Sequence, residues 1–307
     1  MHAVLNPFLT SFFLPFHLHL IFNKKKQQKR PRHFLQICDF PTNQIVKLNS
    51  LKITVNGMNF RDKTQLIITT DLIVTKSVNV IGSVELEALN FVLANNAQLL
   101  GLGKGQASAT GRGAGQSGAS GGSYGGRGGR SNFVPGAPGA PYGDNLKRPR
   151  LLGSGGHRDQ ANGGAGGAAI KIKALNSAIV DGIIDMSGGD GTAYQNVAST
   201  SQRGGGGGSG GSVYIESLSF SGAGNIKTNG GNGKAGGCMK TATSNRRRYE
   251  TYYCGGYTNG QHSGGGGGGR IAIWSSKTFF VGSLESKGGR FIGIPANTAN
   301  VGSPGTV

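Results

Sequence analysis

Three stretches of this chain superpose on one another with glycine at both ends, and that register limits the folds open to it. They read GGAAIKIKALNSAIVDGIIDMSGG (residues 166–189), GGSVYIESLSFSGAGNIKTNGG (210–231) and GGRIAIWSSKTFFVGSLESKGG (268–289). Each opens on a glycine pair (Gly166 and Gly167, Gly210 and Gly211, Gly268 and Gly269) and runs into an alternating segment. A second segment then places Gly182, Gly224 and Gly282 in step, followed by Ile184, Ile226 and Leu284 and by the charged Asp185, Lys227 and Glu285. Gly167 to Gly188 is 21 residues, and Gly211 to Gly230 and Gly269 to Gly288 are 19 each. A glycine–serine linker keeps no such register, whereas a repeat does.

Period-2 alternation assigns the faces. Ile170, Ile172, Val213, Ile215, Ile271 and Ile273 point inward, with Ile184, Ile226 and Leu284 behind them; Lys171, Tyr214 and Glu216 point outward. One copy buries too little apolar surface to stand alone, so the copies are expected to stack and share a core. The glycine pairs are then expected where strands enter a tight corner or where the backbone of one copy lies against the next, since a Cβ would clash in either place. Residues 49–101 carry short apolar runs broken by Asn, Asp and Gly, too closely spaced for helical crossovers. The chain is therefore expected to be all-β, a β-solenoid or parallel β-helix-like stack with glycine-rich corners. Of its 58 glycines, all but Gly57 and Gly82 lie beyond residue 100. That step divides the chain into an apolar and basic leader (1–48), a short-strand part (49–103) and a glycine-rich repeat part (104–307).

The copies begin 44 and 58 residues apart, and the longer interval holds CMKTATSNRRRYETYYC. Cys238 and Cys254 bracket this insertion; outside the cytosol they are a candidate disulfide, and in a reducing compartment two loop thiols. Arg246, Arg247, Arg248, Tyr249, Tyr252 and Tyr253 make the loop a candidate partner contact, since Arg and Tyr are frequent contact residues.

The formal net charge of +19 is clumped in KKKQQKRPR (24–32), KRPR (147–150) and RRR (246–248). Clumped basic residues favour anionic partners, an anionic glycan among them, without selecting one. Residues 4–22 are apolar but interrupted by Pro7, Pro15, His17 and His19, and the basic cluster follows them rather than precedes them. They read as a signal, a membrane anchor or a misassigned start. The ending VGSPGTV suggests a fragment of a longer protein.

The succession GASGGSYGGRGG (118–129), PYGD (141–144), LLGSGG (151–156), the three copies and GSPGTV (302–307) resembles glycine-rich β-solenoid modules of large secreted or cell-surface proteins of animals, protists and some bacteria. The resemblance covers roughly residues 50–307. It implies an extracellular structural or adhesive part and carries over no catalytic residue.

Catalytic and metal motifs are weak. GGSYG (121–125) fits G-x-S-x-G, but no helix follows it and no His–acid pair is placed. GGDGTAY (188–194) and GGNGKAG (230–236) lack the aspartate of calcium-binding repeats, and there is no zinc spacing. No cofactor is expected. The function expected is a non-enzymatic structural or adhesive extracellular module presenting loops to a protein or an anionic glycan. Two alternatives stay open: a nucleic-acid-binding Gly/Arg protein, from GGRGGRS (125–131), and a carbohydrate-active β-helix enzyme with paired carboxylates.

Overall fold

A computed structural model describes residues 39–131, 136–143, 145–193, 204–234, 238–241, 251–254, 263–292 and 301–307. The apolar and β-branched runs of the first part form β1 (Asp39–Phe40), β2 (Ile45–Leu48), β3 (Leu51–Ile53), β4 (Met58–Phe60), β5 (Thr64–Ile68), β6 (Asp71–Val74), β7 (Val78–Val80), β8 (Ser83–Leu93) and β9 (Gln98–Leu100). The first copy is β10 (Ala169–Val180) and β11 (Ile183–Asp185), and the second is β12 (Ser212–Gly222) and β13 (Asn225–Lys227). After them come β14 (Gly233–Lys234), β15 (Cys238–Thr241) and β16 (Thr251–Cys254). The third copy is β17 (Arg270–Phe280) and β18 (Ser283–Glu285), and β19 (Phe291–Ile292) follows it. There is no helix among the described residues.

Two parallel sheets carry the molecule. One has seven strands in the order β1-β4-β7-β9-β11-β13-β18. The other has eight, along β17-β12-β10-β8-β5-β2, with β3 and β6 continuing beside β8. The long strands change phase midway: Val84, Leu86 and Ala88 are buried, Leu89 is exposed, and Phe91 and Leu93 are buried again. A single strand thus presents apolar residues to the core on both sides of the phase change. The core is one cluster, from Leu51 through Phe91, Ile172 and Ile215 to Ile271. Inward residues of the copies stack in register, Ile170 on Val84 and Val213, and Val213 on Ile271.

The backbone bonds also refine the alignment of the copies. Ser212 N–H donates to Ala168 O, and Arg270 N–H donates to Gly211 O. Ala168, not Gly167, is therefore the counterpart of Gly211. The first copy carries its extra residue where the pairing slips between Ala174 and Ser177, a bulge in β10.

The expectation of an all-β solenoid with glycine-rich corners is corrected here. Among the described residues both sheets are open ladders with no closure, and β17 leaves Trp274 and Phe279 exposed along its edge. Of the two places expected for the glycine pairs, they occupy not tight corners but sites where backbone lies against backbone. They belong to extended runs outside the strands, and the runs hydrogen-bond to one another. The run 204–211 shows the pattern. Its groups bond to Gly122, to Ser154 and His157, to Gly164, to Gly189 and Met186, to Gly231, and to Gly264 and Gly267. Those are six neighbouring runs, where a strand in a sheet has two. The physical reason is the missing side chain: without Cβ atoms, backbones approach on every side and their N–H and C=O groups pair in several directions.

Candidate ligand pocket

On β12, Val213 and Ile215 face the core while Tyr214 and Glu216 face outward, and the register puts Glu216 beside Trp274 of β17. A segment of the glycine-rich lead-in ahead of the first copy, residues 145–152, crosses this outer face. Asn145 shapes it locally, its Oδ1 accepting from Lys147 N–H at 2.9 Å and its carbonyl from Arg148 N–H at 3.0 Å. The segment is fastened on one side by Trp274, whose Nε1–H donates to Lys147 O at 2.7 Å. On the other side Tyr142 OH donates to Leu152 O at 2.6 Å, and Arg270 Nη2 donates to Tyr142 O at 3.2 Å. The Arg270 guanidinium lies 5.0 Å from the Tyr124 ring centre, and Tyr124 OH is 2.8 Å from Ser212 Oγ.

Between the segment and the sheet lies a cavity of about 350 Å³ lined by Asn145, Lys147, Arg148, Tyr214, Glu216 and Trp274. Tyr214, expected outward, is outward but only 1% exposed, because the segment covers it. Its OH donates to Glu216 Oε2 at 2.7 Å. Burial pushes the Tyr214 phenol above its ordinary value, and the Glu216 carboxylate adds to the shift while Arg148 opposes it. Lys147 Nζ stands 6.0 Å from the centre of the Trp274 ring, which remains 46% exposed. The lining thus joins a fixed indole face, two cations, a carboxylate and an amide, a set suited to holding a polar ligand in one orientation.

The other two shifted groups lie on the seven-stranded sheet and have local causes. Arg61, then Asn59, hold the Asp39 carboxyl below its usual range by hydrogen bonding. Asn229, helped by Lys287, does the same for Glu285. Asp185, Lys227 and Glu285 stand in register on adjacent strands, a ladder of alternating charge. Ser123 of the G-x-S-x-G match is fully buried; its Oγ donates to Gly139 O at 2.6 Å and accepts from Gly128 N–H at 2.8 Å, so it fastens a loop. Among the described residues there is no group of three or more His, Cys, Asp or Glu that could hold a metal ion, and no helix long and apolar enough to cross a membrane.

Of the residues singled out in the sequence, Gly166, Gly167, Gly210, Gly211, Gly268 and Gly269 lie in the runs that lead into β10, β12 and β17. Gly182, Gly224 and Gly282 sit at the short links between each long strand and its short partner. β15 and β16 pair antiparallel with Cys238 opposite Cys254, Met239 opposite Tyr253 and Lys240 opposite Tyr252. Arg246, Arg247, Arg248 and Tyr249, like residues 4–22, lie outside the described residues. Sequence reasoning missed the pocket. Two of its signals were in view, the basic cluster at 147–150 and the chain's single Trp at an outward strand position, but they are 127 residues apart. Comparisons with protein-family models, with curated proteins and with solved structures returned no match.

Proposed function

We propose that this chain is a non-enzymatic structural or adhesive module of an extracellular or cell-surface protein, a stiff body that presents side segments to a partner. The observation that carries the reading is the bonding of the run 204–211 to six neighbouring runs. A segment tied on every side by backbone bonds has little freedom, which suits a presenting body. The same network bears on the nucleic-acid alternative. Gly126 N–H donates to Gly268 O and Gly129 N–H to Gly265 O, both within the Gly/Arg tract, which is thereby fixed rather than pliable. Two kinds of segment are presented: the insertion that begins and ends in the β15–β16 hairpin, and the lead-in that crosses β12 and β17.

Native-state hydrogen exchange tests the stiffness. The amides of 204–211 are expected to exchange as slowly as those of β12, and exchange at the rate of an unstructured peptide would overturn the reading. Labelling of the native protein on intact cells with a membrane-impermeant amine reagent tests the location. Labelling before lysis is expected, and labelling only after lysis would remove the extracellular assignment.

A further inference from the structure

From the pocket between β12, β17 and the lead-in segment we infer a binding site for one acidic pyranose unit of a glycan, its anionic group a carboxylate or a sulfate. This rests on the reading of the chain as a presenting module and names the partner class that module takes. Size comes first: about 350 Å³ lies at the lower end of the roughly 300–1,000 Å³ range of small-ligand sites. The wall is a single indole, held in one orientation by its own N–H bond to Lys147 O and still open on part of its surface. A flat apolar face of this kind matches the C–H face of a sugar ring. Lys147 and Arg148 bring two positive charges against one negative charge from Glu216, so the pocket favours an anion. Arg148 supplies the planar fork that suits carboxylate and sulfate oxygens. Glu216 receives one hydrogen bond from Tyr214, and a carboxylate has about four acceptor positions, so it can also take ring hydroxyls. Asn145 adds an amide at the rim.

A pyranose carries its flat C–H face, its hydroxyl donors and its anion on one ring. That suits a lining whose indole, carboxylate and cations surround one small cavity, whereas a nucleotide spreads base, ribose and phosphate over a longer span.

Trp274 is the only Trp of the chain, so its fluorescence reports on the pocket directly. The full chain is titrated with a glucuronate-containing disaccharide, its O-sulfated counterpart, the carboxyl-reduced neutral disaccharide, adenosine monophosphate and inorganic sulfate. A saturable change with either acidic disaccharide, at least about tenfold tighter than with the neutral one, is expected. The O-sulfated, carboxyl-reduced disaccharide is added to tell sulfate from carboxylate recognition. Calorimetry of Arg148→Gln and Glu216→Gln is expected to show binding weakened about fivefold or more, with thermal stability near that of the parent. Equal affinity for the neutral sugar, tighter binding of the nucleotide, binding of sulfate alone, or no saturable change would each overturn the site. Hydrogen exchange on the same samples separates the two readings: protected glycine runs without saccharide binding remove the site alone, and unprotected runs remove the module itself.

Discussion

At Gly211 a side chain has nowhere to go. A Cβ there would meet Ala168 O, with the Gly167 carbonyl next in line, and both are backbone atoms of a packed neighbouring run. Gly57 is the opposite case: its φ is +79° and nothing lies within 4 Å of the Cβ position. Gly211→Val is therefore expected to cost at least about 1–3 kcal/mol through overpacking. Gly57→Ala is expected to cost about 1 kcal/mol through backbone strain alone. Denaturant titration of the two variants checks the order, and an undiminished stability of Gly211→Val would mean that the glycine runs are not packed as described. Tyr214 makes a second prediction, about alkaline pH. Its phenol is raised by burial first and by Glu216 second, so the stability it contributes is whole below the ordinary phenol pKa of about 10 and is lost as pH rises through the folded value. Tyr214→Phe, which loses the bond to Glu216, is expected to be less stable near neutrality by about 1 kcal/mol. That gap should close above pH of about 10; a gap that stays constant or widens would contradict the raised phenol.

Strand ladders turn such contacts into columns. On the outer face of β8 and β10, Lys171 pairs with Glu85 at 3.2 Å and Lys173 with Glu87 at 3.3 Å, as the register requires. These groups are partly solvated, so each pair is worth less than about 1 kcal/mol. Glu85→Lys is expected to lower stability by that order, and adding Lys171→Glu is expected to restore most of it. A double-mutant cycle without coupling would show that the ladder is carried by the backbone alone. Register of this kind was legible in the sequence because glycines and alternating apolar residues recur at fixed spacing. The inward positions of the first two copies follow it: Ile170, Ile172, Val213, Ile215, Ile184 and Ile226 are all buried. Leu284 breaks the pattern because, among the described residues, β18 is the last strand of its sheet and no further strand covers it. The bulge in β10 was hidden, since one extra residue in a strand looks the same on the page as one extra residue in a link. The pocket was hidden for a different reason. Burial of Tyr214 depends on a lead-in segment that local alternation cannot place.

Across the whole molecule, the glycine runs and the sheets depend on each other. A run such as 204–211 offers the core almost no apolar side chain, and glycine loses more conformational freedom on ordering than any other residue. Its backbone bonds alone contribute only modestly against that loss. Several runs are, however, continuous with strands: 204–211 leads into β12, and 228–232 follows β13. The apolar core therefore fixes an end of each of these runs, and the runs in turn hold the starting points of β10, β12 and β17 in register. The expected consequence is one cooperative unit in which a defect in the core is felt among the glycines. Leu86 is 1% exposed in that core and belongs to β8, which takes no part in the run 204–211. Leu86→Ala should remove about 2–5 kcal/mol of global stability. If order in the runs is conditional on the sheets, the slowest amides of 204–211 should lose protection by the same free energy as those of β12. Protection in the glycine runs that stays at the parent level, while the β12 amides lose theirs, would show that the runs hold together on their own and that the sheets are carried by them rather than the reverse.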